Sequence, residues 1–131
     1  MTEPILIPVA AGELFDKKTI LQIKRERIAS PGQRANVERE LALLDGIAQR
    51  IAAATPRRLE LEALESELRA INEQLWDLEN TVRACEREAR FDADFVRSAR
   101  SIYAGNDRRA AVKRQINLLL GSSLIEEKSH T

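Results

Sequence analysis

The sequence predicts an all-α fold: an antiparallel coiled-coil helical hairpin with further helices, N- and C-terminal, packed on it. Three observations carry that expectation. Leu61, Leu64, Leu68, Ile71, Leu75, Leu78, Val82 and Cys85 recur at 3-4-3-4-3-4-3 spacing, a sustained heptad seam. Ser30-Pro31 and Thr55-Pro56 each set a capping hydroxyl before a proline, the arrangement that starts a helix. Only five glycines and four prolines occur in 131 residues, and most stand between the periodic segments rather than inside them. A chain of this length forms one domain and can bury a core.

Each element follows from local pattern. Residues 1–11 read as an extended arm. Its apolar stretch, residues 5–9, is partly β-branched, but Pro4 and Pro8 withhold ladder donors and allow at most an edge strand. Leu14, Leu21 and Ile28 recur every seven residues, with Ile20 and Ile23 beside them, and give a helix over 12–29. Val37, Leu41, Leu44, Ala48 and Ile51 give a second over 31–54. The third, 56–90, is about 50 Å long at ~1.5 Å per residue. The short connection at Thr55-Pro56 turns the second helix back on the third. The overhang of the longer helix must then pack on the first helix, the C-terminal helices or a second chain. Asp92 caps a helix over 92–104, which Gly105 ends; Asn106 caps another over 107–120, which Gly121 stops. The tail, 122–131, contains Leu124-Ile125 and is a candidate second strand for a ribbon with the arm.

Charge and composition exclude several classes. Lys plus Arg and Asp plus Glu are 21 each, so the formal net charge is zero. Within residues 33–90 there are 9 basic and 12 acidic residues, a net of −3, the wrong sign for a nucleic-acid-binding arm. Cys85 is the single cysteine and His130 the single histidine, which leaves no disulfide, cysteine zinc cluster or metal site to expect. No Gly-rich phosphate loop, GxSxG, HExxH or CxxC occurs, so no cofactor is expected. The opening residues lack the basic start and long apolar core of a signal peptide, and no apolar run suits membrane insertion; a cytoplasmic location is the expectation.

Three polar constellations could carry chemistry. Asn106, Arg109, Lys113 and Asn117 share one face near the predicted start of the last helix, with Arg108 and Arg114 nearby. Amides and guanidinium groups at a helix N-terminus suit an anion. The alternative is that these charges are solvated or bridge to acids on neighbouring helices. Glu13, Asp16, Lys17, Thr19 and Lys24 lie along the first helix, either as a second part of a site or as a polar flank. Asn72, Trp76, Asn80 and Arg83 lie beside the heptad seam. There Trp76, like Tyr103, is either a ligand-stacking surface or core filling.

The two ends also carry a resemblance. Ile7-Pro8-Val9-Ala10-Ala11-Gly12-Glu13-Leu14-Phe15-Asp16-Lys17 resembles the opening motif of an uncharacterised bacterial domain-of-unknown-function family. Asn106-Asp107-Arg108-Arg109-Ala110-Ala111-Val112-Lys113-Arg114-Gln115-Ile116-Asn117 resembles its closing motif, and Glu126-Glu127-Lys128-Ser129 its tail. Members usually have Ser-Pro where this chain has Ala10-Ala11, which removes a serine that would cap the first helix. The resemblance implies a setting, surface-polysaccharide or lipopolysaccharide assembly beside glycosyltransferases, and no reaction.

The function expected from all this is a non-catalytic accessory or interaction module. It would form a homo-oligomer, a dimer through the long helix, and a glycosyltransferase is a possible partner. The alternative is a binder or enzyme for an anionic small molecule such as a nucleotide sugar or sugar phosphate. In that reading Asn106, Arg108, Arg109, Lys113 and Asn117 hold the anion, and Glu13, Asp16, Lys17, Lys24, Trp76 and Tyr103 complete the site.

Overall fold

A computed structural model of the chain describes residues 2–129; Met1, His130 and Thr131 lie outside the described residues. Four helices follow in order: α1 (Ala11–Arg27), α2 (Pro31–Ala54), α3 (Arg58–Arg87) and α4 (Ala93–Leu120). The fold is all-α. Two start signals work as the sequence suggests: Ser30 Oγ accepts from the Gln33 N–H with Pro31 opening α2, and Asp92 Oδ1 accepts from the Phe95 N–H at the start of α4. The third does not: α3 begins at Arg58 rather than Pro56, its N-cap Arg57 has no side-chain cap, and Thr55 Oγ1 instead accepts from the Arg57 N–H in the turn before it.

α1 is the shared element of the bundle, packing on α2, α3 and α4, while α3 and α4 form the most extensive pair. α2 and α3 make the hairpin around Thr55, and their contact is the smallest between helices. Ala48, Ile51 and Ala52 of α2 share a core with Leu61 and Leu64 of α3. Farther along the seam, Leu68, Ile71 and Leu75 belong to the same core as Leu14 and Phe15 of α1 and Val112 and Ile116 of α4. A smaller core of Leu21, Val37 and Leu41 binds α1 to α2. The overhang of α3 is therefore taken up by α1 and α4 within the chain.

Two expectations are corrected. α4 runs unbroken through Gly105 and Asn106, so there is one C-terminal helix, not two. Gly105 is buried, and a Cβ there would come within 2.6 Å of Leu75 Cδ2. The glycine admits α3 at close range instead of ending a helix. The described residues also contain no strand, so the arm and tail make no ribbon. The tail lies back along α4 instead, held by Lys113–Glu126, Arg114–Glu127 and Lys128–Asp107 ion pairs.

The ends of α3 and α4 share one closure. Arg90 N–H donates to the Cys85 carbonyl and Ala89 N–H to the Glu86 carbonyl, with Ala89 at φ 52°. At the other end of α4 Gly121 has φ 62°, and Ser122 N–H donates to the Asn117 carbonyl. Both are left-handed caps of the Schellman type. This closure ends α3 at Arg87 rather than near residue 90, and an alanine in that role gives no sequence signal for it.

Gly12 is pressed against α4: a Cβ there would lie 2.4 Å from the Lys113 carbonyl oxygen, a backbone atom that cannot turn aside. Gly12→Ala is expected to destabilise the protein by about 2–3 kcal/mol through overpacking. Gly46→Ala in α2, where nothing lies within 4 Å, is expected to stabilise by about 0.5–1 kcal/mol. Chemical denaturation of the two variants checks both signs.

Candidate functional site

The site grows from the way α1 begins. Its N-cap residue, Ala10, has no side-chain oxygen to offer the first N–H groups. The last turn of α4 and the cap that follows it supply two. Ala11 N–H donates to Ser122 Oγ at 3.2 Å and Gly12 N–H to Asn117 Oδ1 at 2.6 Å. The Gly121 turn presents Ser122, and the absence of a Cβ on Gly12 allows the approach. A cap normally made locally is here a tertiary contact that pins α1 to α4.

One turn further on, Asp16 is 1% exposed. A buried carboxylate needs donors on both oxygens. Oδ1 accepts from Arg109 Nε at 2.9 Å and from Asn72 Nδ2 at 3.0 Å; Oδ2 accepts from Arg109 Nη2 at 2.5 Å. The pair is bidentate, the strongest carboxylate–guanidinium geometry. Lys113 Nζ stands 3.8 Å from Oδ2 and donates to Glu13 Oε2 at 2.8 Å and to Glu126 Oε1 at 3.2 Å. Thr19 Oγ1 donates to the Asp16 carbonyl at 2.9 Å and accepts the second Asn72 amide hydrogen at 3.0 Å. Among the described residues no buried side-chain nitrogen or oxygen lacks a partner.

The charges settle each other. The hydrogen bonds that Arg109 donates to Asp16 raise the Arg109 pKa, outweighing its burial. Burial pushes Lys113 down, but the Glu13 hydrogen bond and the nearby Asp16 charge overcome it and hold the ammonium above its ordinary value.

No family model, curated protein or solved structure matches this chain.

The structure thus unites Glu13, Asp16, Arg109, Lys113 and Asn117, which the sequence divides between two constellations. Asn117 serves as a helix cap. Asn106 lies inside α4, so the helix N-terminus expected to bind an anion there does not exist. Arg108 points to Gln74 of α3 at 2.9 Å. Lys17 reaches Glu40 of α2 at 3.8 Å, and among the described residues Lys24 joins no such cluster. Trp76 is half-buried with the Arg27 guanidinium 6.0 Å from its ring centre, and Tyr103 is exposed. Ser122 and Glu126 complete the site without having been singled out as members. Lys18 is a further bridge that the sequence reading passed over, joining Glu65 of α3 at 2.5 Å and Asp45 of α2 at 3.4 Å. None of the three has a local signal, because each partner lies on another element.

Grooves surround this cluster. Tyr103, Asn106, Arg109, Lys113 and Glu126 line one of about 480 Å³. Ile20, Trp76, Asn80, Arg83, Asn106 and Arg109 line a second of about 420 Å³. Among the described residues no group of three His, Cys, Asp or Glu side chains is placed to hold a metal ion.

The Lys113 shift predicts a pH dependence. A folded pKa above the unfolded one means stability that is fully present below lysine's unfolded pKa of about 10.4 and lost as pH rises through the folded value. Lys113→Met is expected to lose less stability than the parent on the alkaline side. Denaturation midpoints measured from pH 8 to 11.5, roughly the window that the reference value defines, check the difference in slope.

Proposed function

We propose that this chain is a non-catalytic interaction module whose contact segment is the N-terminal arm. The observation that carries the reading is the exposure of Ile5, Leu6 and Ile7, at 91%, 90% and 71%, in a stretch that belongs to neither core and makes no backbone hydrogen bond among the described residues. Contiguous exposed aliphatic side chains on a folded protein mark interaction surfaces. The arm leaves the bundle at Ala10, which is buried beside the Ser122 and Asn117 caps, so its root is rigid.

The charged cluster supports the same reading. Arg109 is committed to Asp16 and Lys113 to Glu13, which makes them ties between helices. The resemblance at the two ends of the chain supplies a setting for such a module, surface-polysaccharide assembly with a glycosyltransferase as partner. No helix among the described residues is long and apolar enough to cross a membrane.

A second reading has one observation in its favour. Glu126, which caps Lys113 in the 480 Å³ groove, sits on the tail with its side chain 62% exposed, so an external phosphate or carboxylate could take its place. Binding and thermal-shift measurements separate the two. With a polysaccharide-assembly glycosyltransferase as the probe, Ile5→Asp/Ile7→Asp is expected to weaken binding more than tenfold while the melting temperature stays the same, since each buried isoleucine contributes about 1.5–3 kcal/mol. Equal binding by the variant contradicts the interaction reading. So does a melting-temperature rise of several degrees with a nucleotide sugar that Arg109→Ala abolishes.

A further inference from the structure

We infer that Glu126, Glu127 and Lys128 of the tail are an internal stand-in for an acidic segment of a partner protein, and that binding exchanges one for the other on α4. The inference rests on the interaction reading and names the chemistry of the partner's segment. The tail runs back along α4 with Glu126 on Lys113 at 3.2 Å, Glu127 on Arg114 at 2.8 Å and Lys128 on Asp107 at 2.8 Å. Between residues 107 and 114, Arg108, Arg109, Lys113 and Arg114 stand against Asp107 alone, so this stretch of helix calls for carboxylates from elsewhere.

The four cations are committed to different degrees. Arg109 turns its guanidinium inward to Asp16, and Arg108 donates to Gln74. Lys113 carries three hydrogens. It gives one to Glu13 within the bundle and one outward to Glu126. Arg114 has Glu127 as its one ion-pair partner among the described residues. The outward donors of Lys113 and Arg114 are therefore those that an incoming carboxylate meets without breaking the ties between α1 and α4.

The tail is fixed at its root and loosely held beyond it. Ser122 N–H donates to the Asn117 carbonyl, and Ser122 Oγ accepts from the Ala11 N–H. From Ser123 to Ser129 every residue is exposed, and among the described residues none makes a backbone–backbone hydrogen bond or belongs to a core cluster. Exposed ion pairs contribute little each and weaken with salt, so replacing them with equivalent pairs is cheap. Cavities of about 480 and 320 Å³ adjoin the tail, and Ala110 lines both, a side chain too small to obstruct an extended main chain. Two acidic residues followed by a basic one reproduce all three contacts; a compact oxyanion makes no use of Asp107. Arm and tail also leave the bundle together, since Ala11 and Ser122 are hydrogen-bonded, so a partner held by the arm lies beside the tail.

Fluorescence anisotropy on the full chain at low ionic strength tests the inference. The probe is a fluorescein-labelled nonapeptide of three Glu-Glu-Lys repeats. Glu126→Gln/Glu127→Gln removes the internal competitor and is expected to bind it about fivefold or more tighter than the wild type, the scale of two exposed ion pairs. Adding Arg114→Gln is expected to cancel the gain. Glu38→Gln/Glu67→Gln, which makes the same change in net charge on exposed positions of α2 and α3, is expected to give none. Equal affinity of the opened variant and the wild type, an equal gain in the α2/α3 control, or a gain that survives Arg114→Gln overturns the exchange. So does an opened variant that inorganic phosphate stabilises against heat while the peptide fails to bind. Ile5→Asp/Ile7→Asp is expected to leave peptide binding unchanged. Failure of the exchange thus leaves the arm reading standing, and failure of the arm variant to weaken partner binding counts against that reading alone.

Discussion

Asp16 is a charge placed where water cannot solvate it, and much of the bundle's geometry answers to that. Its two oxygens require donors from outside α1. Arg109 of α4 and Asn72 of α3 provide them. Apolar contact is non-directional and would let α1 slide or turn on its neighbours. A bidentate guanidinium admits one register. Once Asp16 is paired, Thr19 meets the second amide hydrogen of Asn72, and Glu13 meets Lys113.

The same register sets the helix joint one turn earlier. Gly12 must face the Lys113 carbonyl, and the first two N–H groups of α1 must meet Ser122 and Asn117. The ordering of the arm's root is thus a consequence of the buried carboxylate. Lys18, bridging Asp45 and Glu65, performs a similar service between α1, α2 and α3. These links join interior charge to surface shape with few residues.

The helices were legible where their signals are local. Ser30-Pro31 and Asp92 mark their starts, Gly121 marks a stop, and the heptad seam of α3 identifies its buried face. Legibility failed where a residue answers to another element. Gly105 has the sequence appearance of a terminator, but what it accommodates is Leu75, thirty residues earlier in the chain, where α3 packs on α4. Asn117 has the spacing of an anion ligand, yet it caps α1, and nothing in the sequence says which helix end lies opposite. Asp16, Arg109 and Lys113 were visible as candidates. Their mutual neutralisation depends on a distance between α1 and α4 that periodicity does not contain. Ala89, closing α3 with a positive φ, has no sequence signature at all.

The central claim is that Asp16 and Arg109 act as one unit in fixing α1 to α4. A double-mutant cycle with Asp16→Asn, Arg109→Met and the pair, followed by urea denaturation near neutral pH, measures it directly. The account predicts a coupling of about 2 kcal/mol or more, because either single change strands a partner in the interior and the double change does not. Additivity within about 0.5 kcal/mol would contradict it.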